Sequence, residues 1–160
     1  MAYTAEKYPT PTISTAIAGK KFLLYVAYDN KWNLVGGLRD NGLSISQEQI
    51  DASSKDNDGW GESITGARNW ESSTEIVVKT SNEGDAVIEN WVLDDTLQDT
   101  VPALRFAFVN IIDKSYYHGF GVVTSYELSA SYDDVMTKSI SINGSSKITK
   151  ATNFDATTLA

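Results

Sequence analysis

Cysteine is absent from all 160 residues. That excludes disulfide frameworks, thiolate zinc sites and cysteine nucleophiles together. Histidine occurs once, as His118, so no site can use paired imidazoles. Of only 3 prolines, Pro9 and Pro11 sit near the amino end. No apolar run reaches the roughly 20 residues that a membrane span needs, and the first twenty residues lack the charged-then-apolar order of a secretory signal, so membrane insertion is not expected. Positive charge is scarce as well: 13 Lys+Arg stand against 21 Asp+Glu, a formal charge of -8. A surface of that sign repels phosphate backbones and argues against a sequence reader of nucleic acid.

The chain does have the means to build a core. Hydrophobic residues are 41% of it, and its length suits one domain over residues 1–160. The first 19 residues, rich in Thr, Ala and Ser, are expected as an amino-terminal arm. Residues 20–150 form the body, and 151–160 a small polar tail. The acid is concentrated: residues 51–99 hold 12 acidic against 3 basic residues, whereas the remainder is close to neutral.

Between the ends the pattern is mostly β. Lys21–Tyr28 is a dense apolar and aromatic run ended by Asp29-Asn30-Lys31, with Trp32–Val35 pairing back as a hairpin. Gly36-Gly37 and an Asp40-Asn41-Gly42 turn interrupt it before Leu43–Ile50 resumes. In Asn69–Thr80, Trp70, Ile76 and Val78 alternate on one face. Val87, Ile88, Trp91 and Val92 recur at helical spacing, which predicts one α-helix over about 86–97, with Asp85 as a possible cap. Ala103–Ile112, Tyr116–Leu128 and Val135–Ile142 read as strands, and Asn143-Gly144 predicts a hairpin to Lys147–Thr149. Seven or eight strands and one helix imply a mainly β fold, a two-sheet β-sandwich flanked by a helix. Residues 51–68 are the exception. They lack any period, and a loop of that length is usually functional.

Motifs for chemistry fail on spacing. Asp56-Asn57-Asp58-Gly59 lacks the first ligand and the closing Glu of a calcium loop. Asp94-Asp95 and Asp133-Asp134 are poorly placed for shared acid–base work, and His118 lies among aromatics with no nucleophile motif nearby. No catalytic residue, cofactor or metal follows, and the chain is not expected to be an enzyme. Trp70 and Trp91 fall on apolar periods and belong to the core, which leaves Trp60, in the long loop, as an aromatic that a partner could cover.

The runs Gly19–Val26 and Leu34–Arg39 resemble the opening of the major tail tube protein of long-tailed bacteriophages. The strings Ile50–Lys55 and Gly59–Trp70 are similar to that family's signature loop. Gly119–Ser125, Asp133–Val135 and Ser139–Gly144 continue the likeness. The resemblance implies a virion structural protein that forms six-membered rings stacked into a hollow tube, a conduit for DNA delivered into the host. Its partners would be further copies of itself, the tape measure, tail-tip and tail terminator proteins, and DNA that passes through the lumen without sequence-specific binding. Assembly would occur in the host bacterial cytoplasm. The loop is then expected to touch neighbouring subunits through Ile50, Asp51, Ser53, Trp60, Ile64 and Gly66. The alternative is a carbohydrate-binding β-sandwich module using Trp60 and other loop aromatics. A hydrolase built on carboxylate pairs is a third reading.

Overall fold

The computed structural model describes residues 3–9 and 16–159. Residues 1–2 and 10–15 of the expected arm, Pro11 among them, and Ala160 of the tail lie outside the described residues. Strands β1 (Phe22–Tyr28) and β2 (Lys31–Leu34) form a tight hairpin. Its two loop residues, Asp29 and Asn30, have φ 55° and 58°. That left-handed pair matches the natural twist of a two-residue hairpin and suits short polar side chains.

Next come β3 (Leu38–Asp51) and β4 (Ser63–Val77), then helices α1 (Glu83–Leu93) and α2 (Asp95–Thr100). Strands β5 (Leu104–Asn110), β6 (Tyr116–Ser129), β7 (Thr137–Gly144) and β8 (Thr149–Ala151) complete the chain. All pairings are antiparallel, in the order β2-β1-β5-β6-β7-β4-β3, with β8 on β6. The mainly β fold matches the expectation from sequence. The division into two sheets does not appear in the pairing, which is continuous. The reason is β6: its first half pairs with β5 and its second half with β7, so one long strand belongs to both halves.

Several local expectations are corrected. Asp40-Asn41-Gly42 is strand, not turn, held opposite Glu75-Thr74-Ser73 of β4. The chain reverses instead at Gly36-Gly37, where Gly37 has φ 73° and its carbonyl accepts a hydrogen bond from Val77 N at 2.8 Å. Asn143-Gly144 does not turn either, since Asn143 pairs with Val122 and Gly144 with Gly121. These glycines serve the core. A Cβ on Gly121 would stand 2.9 Å from the ring of Trp70, and one on Gly144 would overlap the indole outright. The flat ring lies on bare backbone, and its Nε1 donates to Ser146 O at 2.8 Å.

The expected single helix is two. Asn82, not Asp85, caps α1: its Oδ1 accepts from Asp85 N at 3.3 Å and from Gly36 N at 3.0 Å, while its Nδ2 donates to Gly36 O at 2.8 Å. One side chain thus starts the helix and ties it to the β2–β3 link. Asp94 is extended and interrupts the run, and its carboxylate caps α2 by accepting from Leu97 N at 3.1 Å.

The main core holds Trp70, Ile76, Ile88, Trp91, Phe106, Phe108, Ile140 and Ile142 between the helix and the sheet. Burying each of these large side chains stabilises by about 1.5–3 kcal/mol. Alternation along β5 sends Ala107 and Val109 to the opposite face. There Trp32 and Tyr116 are covered by the carboxyl-terminal segment: Phe154 packs at a tilt against Tyr25 and Trp32 and edge-on to Tyr116, and Trp32 N donates to Ala156 O at 2.9 Å.

Candidate subunit interface

The segment expected as a loop over 51–68 is shorter, because its far end belongs to a long hairpin. Strand β3 reaches Asp51 and β4 begins at Ser63, so only 52–62 is a turn. Strand β4 pairs with β7 only from Glu71 to Val77. Beyond Glu71 the β3–β4 ribbon has no further strand partner among the described residues, and past the buried Trp70 its side chains are largely exposed on both faces. Such a ribbon shows no two-residue hydrophobic period, because neither face is buried.

The structure brings most of the candidate residues together on this ribbon. Ile50 lies directly across from Ile64, an aliphatic pair left 46% and 53% exposed. Gly66 sits beneath it, and a Cβ there would stand 3.1 Å from Ile50 Cδ1 and 3.2 Å from Glu48 Cβ. Here β4 carries an extra residue between its pairings at Thr65 and Arg68, which bends the ribbon.

Asp51 and Ser53 are occupied in holding the turn. Asp51 Oδ1 accepts from Ser53 N at 2.9 Å, and Ser53 Oγ accepts from Glu62 N at 2.8 Å. The backbone bond from Ser53, followed by its side chain, holds the Asp51 carboxyl below its ordinary pKa. Trp60 stands apart at the tip, 81% exposed. Ile45, also half-exposed, pairs with Trp70 and so shares its face, opposite to that of Ile50. Sequence reading missed it, because Leu43–Ile50 reads as one more strand of the body.

Acid in residues 51–99 does not all reach the surface. Asp85 is buried: Lys138 Nζ donates to its Oδ2 at 2.7 Å and Tyr126 OH to its Oδ1 at 2.8 Å. Glu89 stands 3.5 Å from the same ammonium. Burial pushes the Tyr126 phenol up to about 12. For Lys138 burial works against the charge, but the hydrogen bonds and charge of Asp85 and Tyr126 outweigh it, and its pKa is raised. This cluster bolts α1 to β6 and β7. His118 stacks beside Tyr116 with Arg105 3.5 Å from its Nδ1, and burial, then the Arg105 charge, lower its pKa. Among the described residues no three His, Asp or Glu side chains converge as metal donors would, and no helix is long and apolar enough to cross a membrane.

The β body carries a long, mainly polar ribbon that leaves Ile45 exposed on one face and Ile50 and Ile64 on the other. Residues 16–150 match the phage tail tube protein family, and the chain belongs to it. It is a structural protein of the tail tube, not an enzyme. No curated protein matches the sequence. Among solved structures, the tail of an empty gene transfer agent particle, refined with C6 symmetry, superposes with TM-score 0.74 at 20% identity, covering 85% of this chain and 99% of that one. A subunit of the native gene transfer agent virion gives 0.71 at 21% identity, with coverage of 85% and 99%. The SPP1 tail tube gives 0.72 at 16% identity, covering 88% of this chain and 82% of that one. At these identities the likeness establishes the fold.

Proposed function

We propose that residues 1–160 form one tail tube domain that closes into six-membered rings, which stack into the hollow tube of a phage tail and conduct DNA to the host. The observation that carries this reading is the uncovered ribbon on a tail tube fold. Ile45, Ile50, Ile64 and Trp60 leave apolar surface that neighbouring copies would bury, with Gly66 letting Ile50 lie flat and Asp51 and Ser53 fixing the turn. The sixfold symmetry of the gene transfer agent tail supports the ring number. Ring contacts are head-to-tail, and stacking them leaves an open filament. A net charge of -8 suits a lumen past which a polyanion slides without counterion-releasing contacts. The tape measure would fill the tube during assembly in the host cytoplasm, the tail-tip complex would start it and the terminator would cap it.

Electron microscopy of the purified full chain, alone and with its tail-tip complex, tests the reading. Rings with six subunits or tubes of such rings are expected; monodisperse monomers under both conditions would contradict it. The carbohydrate-binding alternative loses support, because Trp32, Trp70 and Trp91 are buried.

A further inference from the structure

A pocket of about 350 Å³ opens between the start of β1 and the start of β3. Lys20, Phe22, Leu38, Arg39, Asp40 and Asn41 line it. Lys20 belongs to a 3-10 turn, Gly19–Lys21, that buries no residue. Arg39 is an extra residue of β3, lying between the pairings of Leu38 with Ile76 and Asp40 with Glu75. A bulge of that kind turns a side chain out of the strand's alternation. Asn41 Nδ2 is buried without a hydrogen-bond partner among the described residues. Thr74 Oγ1, directly across on β4, is also unpaired, so neither group satisfies the other. A buried donor left in that state is costly. Lys20 and Arg39 outnumber Asp40 in the lining, and Lys21 adjoins them. Fixed N–H donors under a net positive charge suit a carboxylate.

Outside the strands, acid in excess lies in the helices, in the β6–β7 turn and in the ribbon turn. The helices are committed to the body: α1 buries Ile88 and Trp91, and Asp94 and Asp95 accept from N–H groups of α2. The β6–β7 turn carries Asp133 and Asp134 beside the fully exposed Tyr132. It is tied to β4, because Val78 N donates to Met136 O at 2.9 Å. The ribbon turn is held by its own two strands alone. Its residues 51–62 include Asp51, Asp56, Asp58 and Glu62 against Lys55. Asp56 and Asp58 are exposed at its end, and Phe22 and Leu38 in the pocket offer apolar surface to Trp60.

Placement decides whose pocket it is. The pocket lies at the first residues of β3 and the turn beyond its last, Asp51. The 14 residues of β3 set the two about 45 Å apart at the rise of a strand. A ribbon turn therefore does not reach the pocket of its own chain. A donor and an acceptor at opposite ends of one strand make a heterologous contact, the kind that propagates from copy to copy.

We propose that the pocket formed by Lys20, Arg39 and Asn41 receives the ribbon turn of a second copy of this chain, with Asp56 and Asp58 supplying the carboxylates. This rests on the tube reading and names the partner surface within it.

Because the chain lacks cysteine, a disulfide reports the contact directly. The full-length Asp40→Cys/Lys55→Cys variant is assembled with the tail-tip complex, oxidised and run on a denaturing gel beside each single variant. A ladder of covalent multimers is expected from the double variant, and nothing beyond dimers from the singles. Tubes in the micrograph without a ladder would overturn the docking and leave the tube reading intact. So would a bond closed within one chain, or a ladder from Asp40→Cys/Tyr132→Cys in place of the first. No assembly by the natural chain would overturn both readings. Charge reversal adds a second measurement. Arg39→Asp and Asp56→Lys are each expected to raise the concentration needed for assembly about tenfold, and the two together to recover most of that loss. Single variants that assemble as the parent does, or a pair that recovers nothing, would overturn the docking. Arg39, Asp40, Lys55, Asp56 and Tyr132 are exposed, so no substitution touches the core.

Discussion

At Asp85 and Lys138 a charged pair is almost wholly enclosed, and that sets its energetics. Removing Asp85 leaves the Lys138 ammonium only the longer contact with Glu89, so Asp85→Ala is expected to cost about 3 kcal/mol, read as a fall in the urea unfolding midpoint. Replacing both by apolar residues of similar size should cost less, because no lone charge remains. The same cluster gives the pH dependence its sign. The Tyr126 phenol and Lys138 ammonium both hold their protons more tightly in the folded state. Their contribution is complete below pH 10.0, the ordinary tyrosine value, and is lost as pH rises toward about 12. Urea midpoints from neutral pH into that range should decline more steeply for the natural chain than for Tyr126→Phe. Equal slopes would mean that the phenol is not perturbed by its burial. At the tip, Trp60→Ala and Ile50→Asp touch no core residue. We expect both to leave the unfolding midpoint within about 0.5 kcal/mol of the parent while raising the concentration needed for assembly, measured by sedimentation.

Among the elements, those with one buried face were legible from the sequence. In β4, Trp70, Ser72, Thr74 and Ile76 alternate inward, and the Trp70 and Ile76 positions showed it. In α1, Ile88 and Trp91 marked the inner face. Elements whose partner lies far along the chain were not legible: Asn143-Gly144 has the local chemistry of a turn, and the strand runs on because Trp70, more than seventy residues away, needs a glycine floor. The ribbon over 46–69 escaped for the opposite reason, having no buried face to impose a period. The carboxyl-terminal segment looked like a tail because its one large anchor, Phe154, stands among small and polar residues. Phe154→Ala should destabilise the body by about 2 kcal/mol, less than for a fully buried ring, and increase amide exchange at Trp32, whose N–H bonds to Ala156 O. Unchanged exchange there would show that the segment does not hold the β2 edge.

Across the whole molecule, the closed part and the open part divide the labour. The core between helix and sheet, the Asp85–Lys138 bolt and the Phe154 clasp make a body that stands alone. The ribbon leaves Ile45, Ile50 and Ile64 exposed, and in the proposed tube neighbouring copies would cover it. Sequence carried the family. It could not show that Asp51 and Ser53 spend their hydrogen bonds inside the turn, since those bonds depend on Glu62 arriving from the other strand. The account rests on the ribbon being covered by neighbours, and amide hydrogen exchange before and after assembly measures that most directly. Residues 44–51 and 63–70 should exchange fast in the monomer and become strongly protected in rings or tubes, while β5 stays protected in both. Tubes in which that ribbon exchanges as fast as in the monomer would contradict the account.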